Sequence, residues 1–119
     1  MQQQFLGPYP LNSQEVQLLE DACGVYVLTV FNRSDGKYYA VYVGRSTNLR
    51  ARLQQHLPPQ QNNCLLRNPP SHFFYRYTPS EQEAYEEECW LYHRYNPLCN
   101  DIHPAKPPNS NWRCPVCGQ

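Results

Sequence analysis

The sequence predicts an α+β domain: a small three-stranded antiparallel sheet flanked by helices, followed by an extended Pro-rich C-terminal tail. Three observations carry this. Two β-rich runs, GVYVLTVF and KYYAVYV, are separated only by NRSDG. A third run, HFFYRYT, stands apart from them. Segments with helical apolar spacing precede, separate and follow the runs, and helices segregated onto such a sheet make an α+β layer.

The first twelve residues hold Gly7, Pro8 and Pro10 and read as an extended arm. Ser13, a candidate N-cap, opens a short helix with Val16, Leu18 and Leu19 on its apolar side, ending near Cys23 and Gly24. The first two strands follow as a hairpin with Asp35 and Gly36 at the turn. Gly44, Arg45 and Ser46 break the second strand. A helix then carries Leu49, Leu53 and Leu57 on one side until Pro58 and Pro59 stop it. Residues 58–71 lack periodicity and predict a long loop, a type that often carries function. The third strand spans residues 72–78. Pro79 and Ser80 cap a helix over 81–95, and Asn96 and Pro97 end it. The expected order is α-β-β-α-β-α. The chain divides into an arm and short helix (1–22), a central domain (23–101) and a tail (102–119) ending in CxxC.

A length of 119 residues accommodates one domain. Ten Lys and Arg balance ten Asp and Glu, which excludes a wholly basic coat for nucleic acid. The balance hides a partition: residues 33–76 hold seven basic residues and one acid, whereas 81–88 hold five acids and no base. No apolar run approaches the ~18 residues of a membrane span. The N-terminus lacks the basic start and apolar stretch of a signal peptide. A cytoplasmic protein with no membrane partner is therefore expected, and its six cysteines as thiols or metal ligands rather than disulfides.

The last helix contains an acid in an unexpected place. At about 100° per residue from Ala84, Leu91, Tyr95, Tyr92 and Tyr85 define an arc from about −20° to +100°. Glu88 falls at about +40°, inside that arc. A carboxylate on an apolar face is costly unless it is paired or binds a cation. An ion pair with an arginine, a metal site and acid/base chemistry all meet that need. On the preceding helix, Arg52 and His56 are i, i+4 neighbours at the border of the leucine stripe. Arg50 lies on the opposite border and Arg45 precedes the helix. Gly44, where strand meets helix, leaves free N–H groups that attract anions.

These residues resemble a known signature. Gly24-Val25-Tyr26 and Tyr42-Val43-Gly44 are similar to the paired tripeptides of the GIY-YIG nuclease superfamily, with Val for Ile in both. The continuation GRSTNLRARLQQH resembles that family's arginine-bearing helix, placing its arginine at Arg52 and the following Tyr or His at His56. EAYEEECWLYHRYNPLCN places its metal-binding acid at Glu88, its proline at Pro97 and its asparagine at Asn100. The resemblance covers residues 23–101. It implies a metal-dependent endonuclease hydrolysing DNA phosphodiesters, with Mg²⁺ or Mn²⁺ on Glu88. Arg52 would grip the phosphate, and Tyr26, Tyr42 or His56 would handle the water's proton. Gly24, Gly44 and Asn100 would support the site, and Arg45, Arg50 and Arg67 would contact nucleic acid. RNA stays open as substrate, as does a protein or extra domain supplying specificity. The alternative is a noncatalytic nucleic-acid-binding or assembly module on the same fold.

Cys114 and Cys117 resemble half a zinc knuckle. Zinc needs four ligands, and Cys99 and His103 are the nearest candidates to complete them. Two free thiols in a frayed tail are the other reading.

Overall fold

A computed structural model describes residues 5–119. The elements are β1 (Leu6–Pro10), α1 (Ser13–Val16), β2 (Gly24–Asn32), β3 (Lys37–Ser46), α2 (Leu49–Gln54), α3 (Asn63–Arg67), β4 (His72–Tyr77) and α4 (Glu81–Tyr95). The sheet is antiparallel with order β1-β4-β2-β3. It has four strands rather than the expected three. The fourth comes from the residues read as an arm: Leu6 pairs with Tyr75 and Pro10 with His72. An edge position tolerates the two prolines because no ladder donor is needed on the open side. Residues 6–10 of the arm are thus part of the sheet, and its first four residues lie outside the described ones.

The register of the hairpin sets the site. Tyr26 lies opposite Gly44 and Leu28 opposite Tyr42, with an irregularity between Leu28 and Thr29. Alternation sends Tyr26 and Leu28 to one face, where they pack with Leu49, Leu53, Leu65 and Phe73. Val25, Val27 and Val43 go to the other, against Ala84 and Leu91 of α4. Both faces are covered, which explains why β2 reads as an uninterrupted apolar run.

The helix caps follow local chemistry. Asn48 accepts from the Ala51 N–H at 3.0 Å and Ser80 from Glu83 at 3.1 Å. The first helix is capped by Asn12 rather than Ser13, through the Glu15 N–H at 2.9 Å. The long loop contains a short helix, α3, capped by Asn62. Cys64 on α3 is joined to Cys99 by a disulfide, contrary to the expectation that all six cysteines are thiols or ligands. No helix among the described residues is long and apolar enough to cross a membrane.

Residues after α4 contain no helix or strand, yet they do not fray. The Cys99 N–H bonds the Val41 carbonyl at 2.8 Å. Farther on, Trp112 stacks near Tyr85, and Cys114 is buried with Tyr85 and Cys89.

Candidate active site

α4 brings Glu88 to the sheet because its apolar phase faces β2 and β3. Glu88 is 8% exposed, among the buried Ala84, Tyr85, Cys89 and Leu91. Tyr95, expected on the same stripe, is half-exposed at the rim of a groove it shares with Val27, Ala40 and Phe74 of the sheet. Burial pushes the Glu88 carboxyl above the usual carboxylate range, while Arg45 beside it pulls it back. The Arg45 Nη1 donates to Glu88 Oε1 at 2.6 Å, and its Nη2 donates to the Ala105 carbonyl at 2.6 Å.

On the opposite sheet face, Tyr26 is fully buried with its ring across Gly44. A Cβ built on Gly44 would lie 2.4 Å from Tyr26 Cζ, so only glycine leaves room for this ring. A Cβ on Gly24 would meet the Arg76 carbonyl oxygen at 2.4 Å, so that glycine instead serves the close approach of β4. The Tyr26 hydroxyl accepts from Arg52 Nε at 3.3 Å and is hydrogen-bonded to His56 Nε2 at 2.8 Å. Burial, with Tyr42 adding to it, holds the Tyr26 phenol well above its ordinary range, hence protonated. Burial first, then the Arg52 charge, push His56 down to about 4, so its ring is neutral at pH 7. Its Nδ1 is buried without a hydrogen-bond partner among the described residues.

Tyr26, Tyr42, Gly44, Arg45, Arg52, Glu88 and Ala105 line a single cavity of about 370 Å³. Tyr42 is only half-buried, with its ring centroid 6.2 Å from Tyr26 and 5.3 Å from His56. Asn100 stands outside the cavity: it accepts from the Val43 N–H at 2.8 Å and donates to the Val43 carbonyl at 3.0 Å. It thereby pairs with the free edge of the strand that carries Tyr42 and Gly44. A second groove of about 590 Å³ continues past Tyr42 and Arg52, lined by Gln54, Gln55, Gln60 and Asn62.

Residues 22–100 match the family model of the GIY-YIG catalytic domain. The chain belongs to the GIY-YIG nuclease superfamily. Solved structures of the N-terminal endonuclease domain of UvrC from Thermotoga maritima share its fold. One, bound to its catalytic divalent cation magnesium, is 24% identical and covers 73% of this chain and 92% of that chain, with a TM-score of 0.60. Two point mutants of the same domain, also bound to the catalytic cation, are 23% and 22% identical with TM-scores of 0.61. Each covers 75% of this chain and 93% of its own. No curated protein matches the chain significantly.

The basic stretch is less available to a partner than its count implies. Arg45 is engaged by Glu88, and Arg76 is buried in an ion pair with Glu87. Arg50, expected to meet nucleic acid, is ion-paired with Asp21 away from the cavity. Arg67 is exposed on α3 and does not line the cavity. Cys99 cannot be a zinc ligand, because its sulfur is bonded to Cys64.

Sequence reasoning missed two contributors. The Ala105 carbonyl reaches Arg45 only because the tail folds back. His93 lies beside His103, at a ring distance of 5.3 Å. At about 180° from Ala84 on the helical wheel, nothing in its position singled it out.

Proposed function

We propose that this chain is a divalent-metal-dependent endonuclease that hydrolyses DNA phosphodiesters, with residues 23–101 as its catalytic unit. The observation that carries this reading is the meeting of a buried carboxylate, a guanidinium and two phenols around one cavity, in a chain of this superfamily. The donors fit a hard cation. Glu88 is a buried acid whose carboxyl stays raised by burial even beside Arg45, and the phenols at the cavity wall offer oxygen. One carboxylate suits Mg²⁺, which keeps waters and takes substrate oxygens as further ligands. Mn²⁺ suits the same oxygen set. Glu88 would hold the ion, which supplies Lewis acidity to the phosphoryl oxygens.

The chain's own residues do the rest. Arg52 presents a planar fork to the scissile phosphate and stabilises charge that grows in the transition state. Tyr42, half-buried at the cavity wall, is placed to orient the attacking water and accept its proton. Tyr26, locked between Arg52 and His56, holds the guanidinium in place. Neutral His56 can accept a hydrogen bond from that phenol at Nε2 and so keep its hydroxyl aimed. Asn100 fixes the edge of the strand bearing Tyr42. A cytoplasmic setting remains part of the proposal.

One observation favours the alternative noncatalytic reading: the Arg45–Glu88 pair already satisfies the buried acid. The test is incubation with supercoiled, branched and single-stranded DNA, and with RNA, in Mg²⁺, Mn²⁺ or EDTA. Cleavage is expected with the cations alone, and Glu88→Gln should lower it by about 10³-fold. Binding without cleavage, or undiminished cleavage by the variant, would overturn the proposal.

A further inference from the structure

Outside the cavity lining lies a different set of donors. His93, His103, Cys114 and Cys117 each offer one ligand atom, and all four atoms lie within 4.8 Å of one another. Three segments of chain supply them: the end of α4, the turn after it and the last residues. Tetrahedral zinc with two sulfurs and two nitrogens holds its ligand atoms roughly 3.3–3.8 Å apart, which follows from its bond lengths. Cys117 Sγ and His103 Nε2 are already 3.5 Å apart.

Two details of the surroundings point the same way. His103 Nδ1 lies 3.0 Å from the Pro104 carbonyl, which can only accept, so Nδ1 carries the proton. The lone pair is thereby left on Nε2, the atom facing Cys117. A ring nitrogen bonded to a backbone carbonyl is the usual outer support of a metal-bound imidazole. The CPVCG turn folds the Val116 N–H onto Cys114 Sγ at 3.4 Å, and Gly118 takes a positive φ of 76° just after it. Such a turn stabilises thiolate, the form that binds metal.

We propose that His93, His103, Cys114 and Cys117 bind one structural Zn²⁺. Four nitrogen and sulfur ligands close the coordination sphere and leave no position for substrate. The ion's role is therefore to fasten the tail to α4. That tail carries Ala105, whose carbonyl receives Arg45 at the cavity wall. The zinc site thus fixes one wall of the candidate active site.

The test uses the full-length chain purified without chelator. Elemental analysis is expected to find about one zinc per chain, as a closed four-ligand site requires. The Cys114→Ser/Cys117→Ser double variant should lose it, and Cys64→Ser/Cys99→Ser should keep it. His93→Ala, at an exposed position, should weaken zinc retention against a chelator by more than the ~10- to 100-fold that losing an outer partner costs. Circular dichroism checks that each variant stays folded. Co²⁺ in place of zinc should give the intense visible bands of a tetrahedral site and thiolate charge transfer. Chelation should raise tryptic cleavage at Arg113. Zinc content unchanged in the Cys114/Cys117 variant, a Cys114–Cys117 disulfide in the native protein, or weak octahedral cobalt bands would each overturn the site. Glu88→Gln should keep its zinc, so a failed nuclease proposal and a failed zinc proposal give separate readouts.

Discussion

Two stretches of one helix carry opposite chemistry. Glu88 sits mid-helix, buried against the sheet, with phenols and a guanidinium around an open cavity. His93, five residues on, is exposed and lies beside another imidazole and two thiols, four donors within 4.8 Å of one another. The first region offers oxygen and keeps positions free, which suits a hard ion that must also hold substrate. The second offers nitrogen and sulfur and keeps none free, which suits an ion that only holds chain. The contrast teaches that donor type and donor number, not proximity to the cavity, decide what a metal would do at each place. Arg45 connects the two, with one nitrogen on Glu88 and another on the carbonyl of Ala105.

The largest expected difference between the regions comes from Arg52. Arg52→Ala should reduce cleavage by about 10²–10³-fold, the typical effect of removing one group that stabilises transition-state charge. Arg52→Lys should recover only part of it, because an ammonium lacks the fork that also meets Tyr26. Zinc content should stay unchanged in both. A change in zinc would mean that the two regions are coupled far more tightly than Arg45 alone allows.

Next comes a pH effect confined to the cavity side. His56 titrates at about 4 in the folded chain against an ordinary 6.5. Between these values the unfolded chain binds a proton that the native one does not, so stability rises with pH across that window. The contribution is fully present above about pH 6.5 and gone below about pH 4. Its upper bound is about 3 kcal/mol. Thermal unfolding of wild type and His56→Gln should diverge across this range, the variant showing the flatter curve. Glu88, whose carboxyl is raised, has the opposite sign but is common to both proteins. Parallel curves would show that burial does not hold His56 neutral.

How far the sequence revealed all this depends on where the order comes from. α4 spans the expected residues, and its periodicity alone selected Glu88 as a buried acid. The hairpin and β4 were legible because alternation and turn residues are local signals. β1 was not, because prolines disfavour strand and only the neighbouring β4 makes them acceptable there. α3, with five residues, is too short for periodicity to show. The Cys64–Cys99 bridge joins residues 35 apart with no local cue. The tail looked loose because its order is long-range: Trp112 against Tyr85, and Cys114 among buried side chains. Within the site, the wheel showed that Glu88 needs a positive partner but could not choose among the arginines. Only the register of β3 puts Arg45 on the α4 face.

The smallest expected effect separates the two glycines of the signature. Gly44→Ala would place a methyl 2.4 Å from Cζ and from the hydroxyl oxygen of Tyr26. That ring is wedged between β3 and His56 and has little space to retreat. Overpacking of this kind costs about 1–3 kcal/mol. The shift also moves the hydroxyl that Arg52 and His56 share. Gly44→Ala should therefore lower both the melting temperature and the cleavage rate. Gly24→Ala meets the backbone carbonyl of Arg76 and the Leu49 side chain instead, so its cost falls on the β2–β4 pairing. It should lower the melting temperature by a similar amount, while the folded fraction keeps most of its activity. Comparing rates per folded molecule checks this. Equal losses from both substitutions would mean that Gly44 is there for packing alone, and that the position of the Tyr26 ring does not matter to the cavity.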